Sequence, residues 1–256
     1  MAHGRIVWSA AVPTSLARRV KLGAQDALDA VTGRRDPLVP PRHLQGSPPG
    51  GFVAAGDARV NLLVALAKLS QEQRVVEIGC GHGCVARALT AYLGPGAAYD
   101  GVDADPHAIA WCAEHYRNRI DFHFHHVERG SAIPLAAGEA NLVVVADLLP
   151  RRTPEEVEHL LGESRRLLAG DGRLFATGFL LDDSAREAIA GGGAAVAFGA
   201  SDGVRAPGPD ETWAYEEEWL LDRIAQAGFR TAGIRHGTWT PRPTGRAHED
   251  VVVARA

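Results

Sequence analysis

Apolar residues recur along this chain with two different periods. Leu16, Val20, Ala24, Ala27, Leu28 and Val31 fall at helical spacing and predict an amphipathic helix over about 14–32. Asp36-Pro37-Leu38-Val39-Pro40-Pro41-Arg42 cannot continue that helix, because proline lacks the N–H and restrains the residue before it, so an extended segment is expected. Gly46-Ser47-Pro48-Pro49-Gly50-Gly51 reads as a flexible turn. Val60, Leu63, Val64 and Ala67 return to helical spacing and predict a helix over 57–69. From there short apolar runs alternate with helical patterns. Strands are expected at 74–78, 97–103, 122–127, 142–147 and 173–180, with helices at 84–93, 106–118, 160–168 and 182–190. Pro106 suits a helix start and Thr153 a helix cap. Helices alternating with strands imply a parallel, doubly wound sheet. A helix over 215–227 and two late strands, 231–236 and 250–254, complete the pattern. Between them, residues 191–210 are rich in Gly and Ala and long for a connection, which suits either a mobile substrate lid or a disordered insert.

The most informative stretch is Arg74-Val75-Val76-Glu77-Ile78-Gly79-Cys80-Gly81-His82-Gly83-Cys84-Val85. It is a strand, a glycine-rich turn and the start of a helix. Glycine permits positive φ and lets a ligand approach the backbone, and the following helix aims unpaired N–H groups at the turn. The glycines do not follow the spacing of the dinucleotide fingerprint, and no Lys-Ser/Thr follows as in a P-loop. Glu77 closes the strand with a carboxylate that would repel a pyrophosphate and attract a cation. Downstream, Tyr99-Asp100-Gly101-Val102-Asp103 ends a second strand in an acid at roughly the ~20-residue interval suited to a ribose diol. A ligand with a ribose, no phosphate and a positive end satisfies both acids, and S-adenosylmethionine is such a ligand.

With these residues in hand, the sequence resembles the class I S-adenosylmethionine-dependent methyltransferases. The likeness rests on Glu77-x-Gly79-x-Gly81-x-Gly83 with Asp103. It extends through Leu142-Val143-Val144-Val145-Ala146-Asp147 and the helix–Gly–strand run ending Ala169-Gly170-Asp171-Gly172-Arg173-Leu174. It implies a Rossmann-like seven-stranded sheet with a terminal antiparallel hairpin. It also implies a helical extension or cap at 1–52 ahead of a cofactor-binding domain at 53–256, the extension covering the substrate pocket or packing on the outside of the sheet. The expected cofactor residues are Glu77, Gly79, Cys80, Gly81, Asp103 and Ala104, with Glu128 near the adenine amino group and the backbone of Ala146 and Asp147 at the methionine end. S-adenosylhomocysteine would be the product.

The acceptor side is thinner. Related small-molecule enzymes often carry a His after the fourth strand, where this chain has Arg151. Arg151 or Arg152 could grip an anionic substrate or lie solvated before the Thr153 cap. His236, Tyr215 and Trp239 are further candidates, His236 as a general base or as a structural residue. His125 and His126 are adjacent in one strand and so point to opposite faces.

Net charge −4 leaves no electrostatic footprint for nucleic acid, and the basic residues Arg18, Arg19, Lys21, Arg34 and Arg35 suit a solvated helix face. No apolar run approaches the ~20 residues of a membrane span and no signal-peptide core is visible. Three cysteines suit a reducing compartment, and Cys80 with Cys84 lacks the second pair a zinc site needs, so no metal is expected. The expectation is a cytoplasmic enzyme, monomer or homodimer, methylating an O or N acceptor of a small specialised metabolite or sugar-like compound. Ala/Gly/Arg usage suggests a bacterial source. The alternative is a protein of this fold that binds the cofactor without methylating, as a cyclase, a decarboxylase or a non-catalytic partner.

Overall fold

In the computed structural model, which describes residues 16–32, 36–45, 51–242 and 247–256, five parallel strands carry the architecture. They are β1 (Arg74–Ile78), β2 (Ala98–Asp103), β3 (Phe122–His126), β4 (Ala140–Val145) and β5 (Leu168–Leu181). Their lateral order is β3-β2-β1-β4-β5. Near-continuous apolar sequence such as Val143-Val144-Val145 is what a strand covered by helices on both faces requires. The helices α2 (Phe52–Ala67), α3 (Cys84–Tyr92), α4 (Pro106–His115) and α5 (Pro154–Leu167) supply much of that cover. One apolar cluster, around Val143, Leu174 and Val252, lies on one face. Another, around Leu63, Leu89 and Phe175, lies on the other.

Local chemistry sets the helix starts. Asp105 accepts the His107 N–H ahead of Pro106, and Thr153 forms a reciprocal capping box with Glu156 ahead of Pro154. The helix expected at 160–168 therefore begins a turn and a half earlier, at its cap. The helix expected at 57–69 likewise begins at Phe52. Gly56 lets α2 lie against the start of α3, since a Cβ there would meet the Cys84 carbonyl at 2.2 Å.

The late part of the chain departs from expectation. β5 runs on to Leu181, beyond both of its first partners. Its residues 173–178 pair with β9 (Asp250–Arg255), which pairs with β8 (Thr231–Arg235), so the terminal antiparallel hairpin is present. Residues 179–181 pair instead with β7 (Trp213–Glu216), itself antiparallel to β6 (Arg205–Pro207). The sheet thus has nine strands among the described residues, against the seven expected. Residues 213–216 are strand and only Glu217–Gln226 (α7) is helix, because Ala214 and Tyr215 are buried along the end of β5. Part of the 191–210 stretch is likewise neither free lid nor disordered insert: Phe198 packs with Phe179 and Trp239 in a third apolar cluster.

The N-terminal helix α1 spans Leu16–Val31. Arg42 joins the segment after it to Asp26 and Asp29, and Asp36 reaches Arg87 on α3. The residues before 16, Arg34 and Arg35, and the glycine-proline turn at 46–50 lie outside the described residues, as do the side chains of Arg18 and Arg19.

Candidate functional site

The glycine turn after β1 has the conformation its sequence demands. Gly79, Gly81 and Gly83 take φ of 87°, 51° and 78°, in the left-handed region that other residues rarely enter. The N–H groups of Gly79 and Cys80 both donate to the Val102 carbonyl, which ties the turn to the end of β2. Asp103 closes the arrangement: its two carboxylate oxygens accept the N–H groups of Gly81 and Asp105, each at 2.8 Å. Each oxygen keeps capacity for a further hydrogen bond, as a ribose diol requires.

Beside this turn lies a cleft lined by Ile78, Gly79, Asp103, Ala104, Glu128 and Leu148, among others. Its volume is about 80 Å³, and it opens to solvent. Val102, Val127, Ile133 and Leu160 add an apolar wall suited to a purine. Asp103 and Ala104 stand within it as expected, and Glu128 is an exposed residue at its edge. Leu148 packs over the turn, since a Cβ on Gly79 would lie 3.2 Å from its Cδ1. A backbone cradle open to close approach, a carboxylate with free acceptor sites and an apolar wall together fit an adenosine group.

A second cavity, about 170 Å³, is lined by Asp147, the residue preceding the Leu148 of the first. Ala54, Ala55, Ala58 and Leu62 of α2 line one side of it, and Asp147, Thr177, His248 and Glu249 the other. Asp147, directly beyond β4, holds φ at 55°, a strained conformation for a residue with a side chain. Two contacts keep it there. Arg59 donates to its carboxylate at 2.7 Å, and its own N–H donates to Thr177 Oγ1 at 2.9 Å. The Thr177 hydroxyl donates in turn to Glu249 at 2.5 Å. Burial, reinforced by the Asp147 charge, pushes the Glu249 carboxyl above the ordinary range.

Several expected residues stand elsewhere. The Glu77 carboxyl turns into the core and accepts the Tyr99 hydroxyl at 2.5 Å, lining neither cavity. Burial raises it to about 7 against the opposing effects of Tyr99 and Arg59. Its one hydrogen-bond partner among the described residues is the Tyr99 hydroxyl. The Cys80 thiol is also buried, against the backbone of Gly101, which leaves only its main chain on the turn. Tyr215 is buried with its hydroxyl donated to the Arg152 carbonyl at 2.5 Å, so it reaches no cavity. Arg151 points to the Asp210 carbonyl at 3.4 Å, whereas its neighbour Arg152 lines the cleft. His236 pairs with Glu217 at 2.9 Å and lies 3.8 Å from Asp182, in a cluster apart from both cavities. There Arg242 binds Asp182 at 2.6 Å. Trp239 is fully buried and donates to Asp250. His125 meets Asp100 and His126 the Ala104 carbonyl, on opposite faces of β3.

Arg59, Thr177, His248 and Glu249 were not among the sequence candidates. A signal existed for two of them: His248-Glu249-Asp250 is a polar cluster set directly against the apolar run Val251-Val252-Val253.

Comparison with known proteins agrees with this geometry. Residues 75–172 match the family model described as a methyltransferase domain. Among solved structures, the PH0226 protein of Pyrococcus horikoshii superposes with a TM-score of 0.58 at 15% identity, over 80% of this chain and 91% of that one. An S-adenosylmethionine-dependent methyltransferase from Mesorhizobium loti gives 0.54 at 15% identity, over 78% and 98%. The pyocyanin biosynthetic protein PhzM gives 0.55 at 13% identity, over 78% of this chain and 55% of that one, so this chain spans little more than half of its length. At these identities the structural likenesses are of fold.

Proposed function

We infer, from the premise that the chain is a class I S-adenosylmethionine-dependent methyltransferase, that it methylates an oxygen or nitrogen of a small molecule. The observation that carries this reading is a pair of cavities lined by the adjacent residues Leu148 and Asp147, the first suited to adenosine and the second walled largely by apolar side chains with a few polar groups. A net charge of −4 offers nothing to a nucleic-acid backbone.

In this reading Asp103 holds the ribose hydroxyls, the main chain of Gly79, Cys80 and Gly81 faces the cofactor closely, Ala104 and Glu128 border the adenine, and Ala146 and Asp147 border the methionine end. When bound, the cofactor supplies a methyl group activated by a sulfonium. The protein's task is to hold donor and acceptor in line, to exclude water, and to take a proton where the acceptor carries one. The helical extension at 1–52 is assigned to covering the acceptor side, and a specialised metabolite or sugar-like compound suits the cavity's mixed walls.

Calorimetric titration with S-adenosylmethionine and S-adenosylhomocysteine tests the reading. Micromolar binding of both, followed by stoichiometric S-adenosylhomocysteine release with a productive acceptor, is expected. Binding without release would favour a protein that uses the cofactor for its charge alone.

A further inference from the structure

We propose that the second cavity receives the reactive end of a small amphipathic hydroxyl or amine compound, and that His248 accepts the proton this group loses as it is methylated. This rests on the methyltransferase reading and deepens it. The cavity's volume, about 170 Å³, leaves room for the reactive end of an acceptor. Its walls divide by chemistry. Ala54, Ala55, Ala58 and Leu62 offer an apolar face along α2, while Asp147, Thr177, His248 and Glu249 present polar groups opposite. Arg59 Nη1 is buried with no hydrogen-bond partner among the described residues, although Nη2 is engaged by Asp147. A buried guanidinium N–H left open beside a cavity asks for an acceptor atom from a ligand.

Three groups there could take a proton, and their surroundings separate them. Asp147 already has its Oδ2 taken up by Arg59 at 2.7 Å. Glu249 is fully enclosed, is driven toward its protonated form by burial and the Asp147 charge, and already accepts the Thr177 hydroxyl. His248 remains. Its ring packs edge-on against Phe179 with centroids 5.9 Å apart, and burial lowers its proton affinity, so a neutral imidazole with a free lone pair faces the cavity near pH 7. The charges around it are Asp147 beyond β4, Asp250 on β9, Arg59 on α2 and Arg242, which lies 3.4 Å from Asp250. Asp147 and Asp250 both favour the imidazolium once formed.

The step balances without another reactant. The acceptor atom uses an electron pair to bond the methyl carbon, the carbon–sulfur pair departs with sulfur, and the proton passes to the imidazole and then to water.

Imidazole NMR of the full chain, saturated with S-adenosylhomocysteine, tests the proposal with phenol as the probe. His248→Gln assigns the signal; contacts to the Phe179 ring assign it independently if that variant does not fold. Phenol should shift the His248 signals and leave those of His236 in place, and His248 should titrate below 6.5. Ala58→Leu, at the exposed mouth of the cavity, should weaken the phenol effect at least tenfold while S-adenosylhomocysteine affinity stays within twofold. A phenol response at other histidines only, no response, or competition between phenol and S-adenosylhomocysteine would overturn the assignment. Failure of S-adenosylhomocysteine to bind at all would instead strike the cofactor reading, and the phenol titration of the free protein would still report on the cavity.

Discussion

The two cavities place their acids in opposite ways. Asp103 sits at the end of β2, partly exposed, with both oxygens holding main-chain N–H groups and capacity to spare. Glu249 sits enclosed between β5 and α2, hydrogen-bonded to Thr177 and crowded by Asp147. The first acid keeps acceptor capacity free toward the cleft it lines. The second is held near neutrality and belongs to a charged group that must be paired to exist inside the fold. That difference in solvation separates an acid open to a ligand from one held inside the fold.

The contrast breaks most decisively at Asp103. Asp103→Ala should raise the dissociation constant for S-adenosylhomocysteine by about 100-fold or more, equivalent to ~2.7 kcal/mol, with an unchanged circular dichroism spectrum. Unchanged affinity in calorimetry would remove the ribose acid from the site.

Arg59→Met attacks the other side. It leaves Asp147 unpaired beside a raised Glu249, in surroundings where the ion pair is only partly exposed. A loss of about 2 kcal/mol in stability is expected, discounted from the range for fully buried pairs because Asp147 is partly solvated. Urea unfolding checks this; a loss confined to cofactor affinity would mean Arg59 serves the ligand alone.

The raised carboxyls add a pH signature. Glu77 has its pKa lifted from 4.5 to about 7 in the folded protein, and Glu249 is lifted as well. Between the unfolded and folded values the native state binds more protons than the unfolded chain, so their contribution is complete below the unfolded value and declines as pH rises through the folded one. Tm should therefore fall from pH 5 to pH 8. Glu249→Gln should flatten that decline, and an identical slope in the variant would place the Glu249 proton elsewhere.

The smallest effects should come from residues that stand away from both cavities. Tyr215→Phe removes a single hydrogen bond to the Arg152 carbonyl and should cost about 1 kcal/mol in stability without altering cofactor affinity. His236→Gln should also leave cofactor affinity unchanged; a large loss of turnover would return His236 to the acceptor site.

The glycine-turn side was legible because its determinants are short-range. Positive φ demands glycine, so Gly79, Gly81 and Gly83 announce the turn, and Asp103 follows from ending the neighbouring strand. Local signals also placed the Pro106 and Thr153 helix starts. The boundary between β7 and α7 was not legible, because burial against the end of β5, a partner more than thirty residues upstream, outweighs helical spacing at Ala214 and Tyr215. Glu77 shows the same limit: its place at the strand end is local, but the direction of its carboxyl depends on Tyr99 in the next strand.

The chain by itself therefore determined the alternation of strand and helix, the glycine turn and the acid beside it, since backbone conformation and apolar period act within a few residues. Only the tertiary structure decided the second cavity. Arg59, Asp147, Thr177 and Glu249 come from four elements across the chain, and no spacing rule links them. What brings them together is the requirement that charges removed from water find one another, and that is satisfied only once the sheet and α2 have packed.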